Sequence, residues 1–229
     1  NRDDFEREAT QPRPRHETLH NLETGVTKTS AKYNWNLNVF YMRYNNQLVL
    51  TGRINDVGDP VRANVPNSFR LGVEWQGAYQ INKWLQAEGN LTWSRNRIIN
   101  YTDYTPDYDV DGNLIGQKEQ NYRSTPMSFS TDWVGSMSLH INPSQQHQIS
   151  VITKCVSDQF MDNTGNAARK LNGYWVQDLR WIWNMPSKKF GDIRLILQCN
   201  NVWNRLYETN GYTYSYIYAG SLITENFFF

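Results

Sequence analysis

Alternation of apolar and polar residues, repeated over run after run, is the feature that most restricts what this chain can fold into. A period of two places alternate side chains on opposite faces of an extended strand, so a chain patterned this way throughout folds as half-buried β-strands. Ala31, Tyr33, Trp35, Leu37, Val39 and Tyr41 alternate with Lys32, Asn34, Asn36 and Asn38. Phe69, Leu71, Val73, Trp75, Gly77, Tyr79 and Ile81 oppose Ser68, Arg70, Glu74, Gln76 and Gln80. The same reading gives stripes at Leu85 to Trp93, at Met127, Phe129, Trp133, Met137, Leu139 and Ile141, at Leu171 and Trp175 to Met185, and at Ile193 to Cys199 with Trp203. A less regular run from Gln148 to Phe160 and a poorer one from Glu17 to Thr29 complete eight candidate strands.

The punctuation agrees with this partition. The eight prolines fall between runs or at their edges, where no ladder N–H is lost. Short connections at Ser30, Asn82–Trp84, Asn142–Gln146 and Pro186–Phe190 alternate with long ones at Asn45–Pro66, Asn100–Pro126 and Met161–Lys170, and a long tail follows Asn204. Tight turns on one side and long loops on the other are the rhythm of an outer-membrane barrel, whose strands need about 9–11 residues to cross at a tilt. Of the nine tryptophans, Trp84 alone lies off the apolar register, in a turn. A soluble sandwich or closed barrel also alternates with period two, but its core favours smaller branched side chains and its strands average about 5–6 residues. The expected fold is all-β: an antiparallel transmembrane β-barrel, with the tryptophan face toward lipid and Arg70, Glu74, Gln76, Glu88 and Asp132 toward the lumen.

Composition narrows the function. A net charge of +1 and the lack of a long basic run remove the simplest case for nucleic-acid binding. Mean hydropathy is −0.72, and no stretch reaches the ~20 apolar residues of a membrane-spanning helix. Asn1-Arg2-Asp3-Asp4 has neither Met nor a signal-type apolar core, so the segment reads as mature, processed or part of something longer.

Several constellations invite a chemical reading. His16-Glu17-Thr18-Leu19-His20 matches H-E-x-x-H, which binds zinc only on a helix. Thr24, Gly25, Thr27, Thr29 and Ser30 are poor helix formers, and on a strand residues four apart are ~13 Å apart. No enzyme is expected, and no cofactor. Asp107, Asp109, Asp111 and Gly112 resemble the opening of a calcium loop, with Lys118 where a bidentate Glu belongs; a weak calcium site and a plain acidic turn both fit. Tyr212, Tyr214, Tyr216 and Tyr218 place four phenols on one face of an extended segment. With Tyr104 and Tyr108 they are candidate ligand-binding residues, since a phenol offers a flat apolar face with a polar tip; an aromatic girdle or a packed hairpin arm is the structural alternative. Cys155 and Cys199 lie on strands with a third between them, too far apart for a bridge, and are expected as free thiols. His140 and His147 flank a short turn as interfacial polar residues.

Gln47-Leu48-Val49-Leu50-Thr51-Gly52-Arg53-Ile54-Asn55-Asp56-Val57-Gly58, Asn200-Asn201-Val202-Trp203-Asn204-Arg205-Leu206-Tyr207-Glu208, and Asn210 to Tyr218 followed by Thr224-Glu225-Asn226-Phe227 resemble the TonB-dependent outer-membrane receptors of Bacteroidetes. The resemblance implies that residues 1–229 are the C-terminal portion of a 22-stranded barrel whose plug domain lies outside this chain. It implies outer-membrane localisation and TonB-energised uptake of a scarce ligand, such as a ferric siderophore, a vitamin or a glycan. The implied partners are the TonB complex, the protein's own plug, outer-membrane lipid and a surface lipoprotein; nucleic acid is not among them. Family members usually end on one further strand, whereas Phe227-Phe228-Phe229 here has no alternating run before it. A self-contained eight-stranded pore or adhesin is the alternative, since eight runs could close on themselves.

Overall fold

The computed structural model describes residues 15–54, 60–187 and 191–229. Its elements in chain order are β1 (Thr18–Thr29), β2 (Tyr33–Ile54), β3 (Pro60–Asn82), β4 (Leu85–Tyr108), β5 (Leu114–Pro126), β6 (Trp133–Ile141), β7 (His147–Val156), β8 (Gln159–Phe160), β9 (Lys170–Leu171), β10 (Tyr174–Met185), β11 (Ile193–Cys199), β12 (Gly211–Tyr218) and β13 (Ser221–Phe228). No helix occurs among the described residues. The main sheet runs β1-β2-β3-β4-β6-β7-β10-β11, every neighbour antiparallel, so the eight runs read from the sequence are the eight strands of this path.

Register turns the separate stripes into one continuous belt. Leu37, Trp75, Leu91, Gly135, Cys155 and Trp175 form one cross-strand row, and Tyr33, Tyr79, Ala87, Leu139, Val151, Leu179 and Cys199 another. Directly paired residues share a face, so odd-numbered residues from β2 to β11 make the apolar side of the spanning region. On β1 the parity reverses: Leu22 pairs with Tyr41 and Val26 with Leu37. The opposite face is polar, with Asn36, Gln76, Asn90, Ser136 and Lys154 in one row. A sheet with an apolar and a polar face, both largely solvent-accessible in isolation, is built to separate lipid from a wet lumen.

Several expectations are corrected. The stretches read as long loops are largely sheet: β2 and β3 continue past Asn45 and Pro66, and β4 and β5 form a hairpin through the Asn100–Pro126 region. A hairpin standing in water needs no apolar face, so these parts lack the alternation that marks the others. Met127 and Phe129 are not strand residues. Pro126 ends β5, Phe129 takes a left-handed backbone (φ 50°), and the next strand starts only at Trp133, leaving Asp132 just outside it. Leu171 belongs to the short β9 and is buried, and Trp203 lies in a turn beyond β11. The C-terminal segment does contain a strand, β13, paired along its length with β12. The family-like segment at 47–58 and the 186–190 turn fall partly outside the described residues.

The eight-stranded alternative requires β1 to pair with β11. Among the described residues they do not pair, and the path is an open sheet with two free edges.

Candidate functional site

The buried hydrophobic cluster lies on the side of the long connections. Val49, Val65, Ile98 and Met127 form it, with Tyr101 against it. β2 and β4 each pass through a left-handed asparagine, Asn46 (φ 55°) and Asn100 (φ 55°), shortly before they supply Val49 and Tyr101. Beyond Asn46 the odd-numbered Gln47 lies beside the even-numbered Ser68, whose hydroxyl donates to Gln47 Oε1 at 2.5 Å. The lumen face of the spanning strands thus continues into the interior of the outer layer.

The 157–173 connection folds onto this cluster through buried polar groups. Asn163 Nδ2 and the Ser128 hydroxyl both donate to the Leu50 carbonyl, each at 2.7 Å. The Ser128 N–H donates to Asn163 Oδ1 at 2.7 Å and the Thr125 hydroxyl to the Asn163 carbonyl at 2.6 Å. Arg169 Nη1 lies 2.7 Å from Asp162 Oδ2, with both side chains more than nine-tenths buried. From the same guanidinium Nη2 reaches the Thr224 hydroxyl at 3.4 Å, and Asn226 Nδ2 donates to the Ala168 carbonyl at 2.7 Å. The ion pair thus lies within the connection, and these two hydrogen bonds tie the connection to the β12–β13 hairpin. Sequence reasoning passed over these residues; the available signal was the Asp162-Asn163-Thr164-Gly165-Asn166 string, a turn-forming composition set in a long connection.

The hairpin presents the tyrosines. Tyr212, Tyr214, Tyr216 and Tyr218 share one face of β12, half-exposed or exposed, while Thr213 and Ile217 on the other face are buried. Tyr212 stacks on Phe227 at 4.7 Å, Tyr214 lies 5.5 Å from Tyr216, and Tyr108 meets Tyr216 edge-on at 6.2 Å. The Tyr218 hydroxyl donates to the Val110 carbonyl at 2.8 Å, and a short parallel contact joins Ile217 and Tyr218 to Asp107 and Tyr108. The hairpin thus leans on the tip of the β4–β5 hairpin, and Tyr108 meets the tyrosine face through Tyr216. Tyr104 sits four residues farther down β4 and is exposed. The Tyr216 hydroxyl donates to Glu225 at 3.2 Å; desolvation, and then that carboxylate, push its pKa up.

The calcium-like residues form the tip of the β4–β5 hairpin. The Asp109 carboxylate accepts the Asp111 and Asn113 backbone N–H groups at 2.9 and 2.8 Å and Asn113 Nδ2 at 3.1 Å, and the Asn113 bonds, first among the causes, hold its pKa low. Its oxygens are engaged within the turn, and among the described residues no group of three or more acidic, His or Cys side chains is gathered as a metal-ligand set. The H-E-x-x-H residues are not helical: His20 lies in β1, His16 and Glu17 just before it, and Glu17 accepts the Leu48 N–H at 3.0 Å where β1 begins against β2. The helical geometry the zinc signature needs is absent there. Cys155 and Cys199 are free, on β7 and β11 with β10 between them. His140 bonds Glu88 (3.0 Å) and Ser150 (2.8 Å) on the polar face, while His147 stacks on Trp181 and meets Trp183 at a tilt at the turn side of the apolar face.

An antiparallel sheet of two-faced strands, tight turns on one side and a braced aromatic layer on the other, defines a segment of an outer-membrane-type β-barrel. The chain belongs to the TonB-dependent receptor-like β-barrel family, which residues 11–202 match. Among solved structures it is similar to the ferric-catecholate import receptor Fiu of E. coli K12 in its closed form, with 14% identity and a TM-score of 0.58 over 93% of this chain and 28% of that one. It is also similar to the ferric yersiniabactin uptake receptor FyuA of Yersinia pestis (14%, 0.56, 92% and 28%) and to the copper transporter OprC (10%, 0.60, 83% and 26%). At these identities the likeness shows the fold, and the chain spans a little over a quarter of each receptor's length. No curated protein sequence matches the chain.

Proposed function

We propose that this chain is the C-terminal portion of the barrel of an outer-membrane importer of the Bacteroidetes type, energised through TonB and closed by a plug that the chain does not include. The observation that carries this reading is the pair of free edges. Among the described residues β1 and β11 each leave a row of backbone donors and acceptors unpaired, with Leu22 and Val26 exposed on one and Leu195 and Leu197 on the other. In a bilayer such edges are untenable, so further strands on both sides, 22 in all by family resemblance, complete the ring. The polar face, where Asn36, Gln76, Glu88, Asn90 and Ser136 line a depression of about 450 Å³, meets the plug.

The cargo is captured on the long-connection side, where Tyr214, Tyr216, Tyr218 and Tyr108 expose aromatic surface with polar tips. Such a surface fits an aromatic chelate or a sugar; a ferric siderophore is the first choice because similar structures are named as receptors for ferric catecholate and ferric yersiniabactin, ahead of a vitamin or glycan. Intact mass of the native protein extracted in detergent tests the barrel reading. A value several-fold above 26.9 kDa supports it, and a value near 26.9 kDa overturns it. Titration with a ferric catecholate, read by fluorescence quenching, tests the cargo: Tyr214→Ala should raise Kd several-fold, and an unchanged Kd removes the tyrosine face from the site.

A further inference from the structure

Cargo uptake makes no use of a groove on the apolar face of the sheet. It has a volume of about 470 Å³ and is walled by Trp35, Trp75, Tyr79, Ala87 and Met137. Its origin is a local shortage of side chains. Lys28, Trp35, Gly77, Gly89 and Met137 form one cross-strand row, in which two adjacent strands present glycine at directly paired positions. In the row beside it, Tyr79 and Leu139 are separated only by the methyl of Ala87. The Trp75 indole lies down toward the gap, where a Cβ on Gly77 would stand 3.0 Å from its ring, so an aromatic plane forms one wall over a backbone floor.

Position and charge identify the occupant. The groove lies next to the turns at 30–32 and 82–84, at the tight-turn end of the belt. Lys28 shares the face of its partner Trp35, and its ammonium stands 5.8 Å over the Tyr33 ring at the mouth of the groove. Those turns add exposed Lys32 and Lys83, and neither they nor the 142–146 turn contains Asp or Glu. An apolar trough ending in unopposed cations on a lipid-facing surface has the chemistry of an anionic amphiphile's binding site.

We infer that this groove holds an anionic glycerophospholipid of the periplasmic-side leaflet, one acyl chain lying against Trp75 and Ala87 and the phosphate meeting Lys28. The inference rests on the reading that the odd-numbered face meets lipid. The test uses the native protein carrying this chain, reconstituted into phosphatidylcholine vesicles containing phosphatidylglycerol with a photoactivatable acyl chain, with adducts mapped by peptide mass spectrometry. Adducts should concentrate on peptides holding Tyr33–Trp35 and Tyr79–Ala87. Lys28→Gln should lower them several-fold without changing labelling by a photoactivatable phosphatidylcholine, and Ala87→Leu should lower labelling by both lipids at these peptides. Should Ala87→Leu fail to assemble, Ala87→Val repeats the test with a smaller side chain. Adducts spread evenly along the belt, or an unchanged preference for phosphatidylglycerol in Lys28→Gln, overturn the site while leaving the barrel reading intact. Absence of adducts anywhere on the odd-numbered face overturns both.

Discussion

The Arg169–Asp162 pair shows how much of the outer layer depends on single side chains. Both are buried, so removing one partner strands the other's charge; losses of about 3–5 kcal/mol are typical of such a break. Asp162→Ala should therefore release the 157–173 connection and, through Arg169 and Thr224, the β12–β13 hairpin. Hydrogen exchange should show both segments deprotected while β3 and β4 keep their protection. Tyr218→Phe is milder. It removes one hydrogen bond to the Val110 carbonyl, worth about 1 kcal/mol, and should loosen only the contact between the two hairpin tips. Asp158 supplies a pH dependence in the same connection. Its bond from Lys170, and then the Gly173 N–H, hold its pKa below the ordinary 3.8. Because the folded-state value is depressed, its contribution is present above about pH 4 and is lost as pH falls through the lower folded value. Exchange of the Gly173 amide should accelerate across that acid range, and a flat profile would show that the bond adds no stability.

At the level of elements, the spanning strands were legible and the outer layer was not. Leu37, Trp75, Leu91 and Trp175 could be assigned to strands from spacing alone, because a lipid-facing row demands apolar side chains at every second position. Met127, Leu171 and Trp203 are just as apolar, yet they serve a core cluster, a two-residue strand and a turn; spacing read without backbone dihedrals cannot separate these uses. The left-handed Asn46 and Asn100 are one physical reason, since each lies where the face assignment changes without a break in the strand. At the candidate site the tyrosine face was visible as a period-two repeat, whereas the Asp162–Arg169 clamp joins two residues of one irregular connection, seven apart, at no spacing that marks a pair. Gly72 gives an element-level prediction. A Cβ there would stand 2.5 Å from Phe40 Cζ and 2.6 Å from the Trp93 carbonyl oxygen, so Gly72→Ala must displace a ring and a neighbouring backbone. A loss of about 1–3 kcal/mol is expected, read as a lower temperature for loss of the folded band on unheated gels.

Across the whole molecule, the two faces of the sheet decide how it sits in a membrane, and that orientation can be tested by two neighbouring substitutions. Leu91 and Thr92 are adjacent on β4, in the middle of the spanning region, and point to opposite sides: Leu91 lies between Trp75 and Gly135, Thr92 between Glu74 and Val134. An arginine on the lipid face near the bilayer midplane costs about 2–4 kcal/mol, whereas one in a wet lumen is tolerated. Leu91→Arg should therefore lower the assembled fraction of the native protein in the outer membrane severalfold, while Thr92→Arg should assemble nearly as the unsubstituted protein does. The two variants carry the same charge at almost the same depth, so a difference between them reports the facing of the strand rather than a general intolerance of arginine. Equal assembly of both would mean that the odd-numbered face does not meet lipid, and a reversed order would place the tryptophans in the lumen.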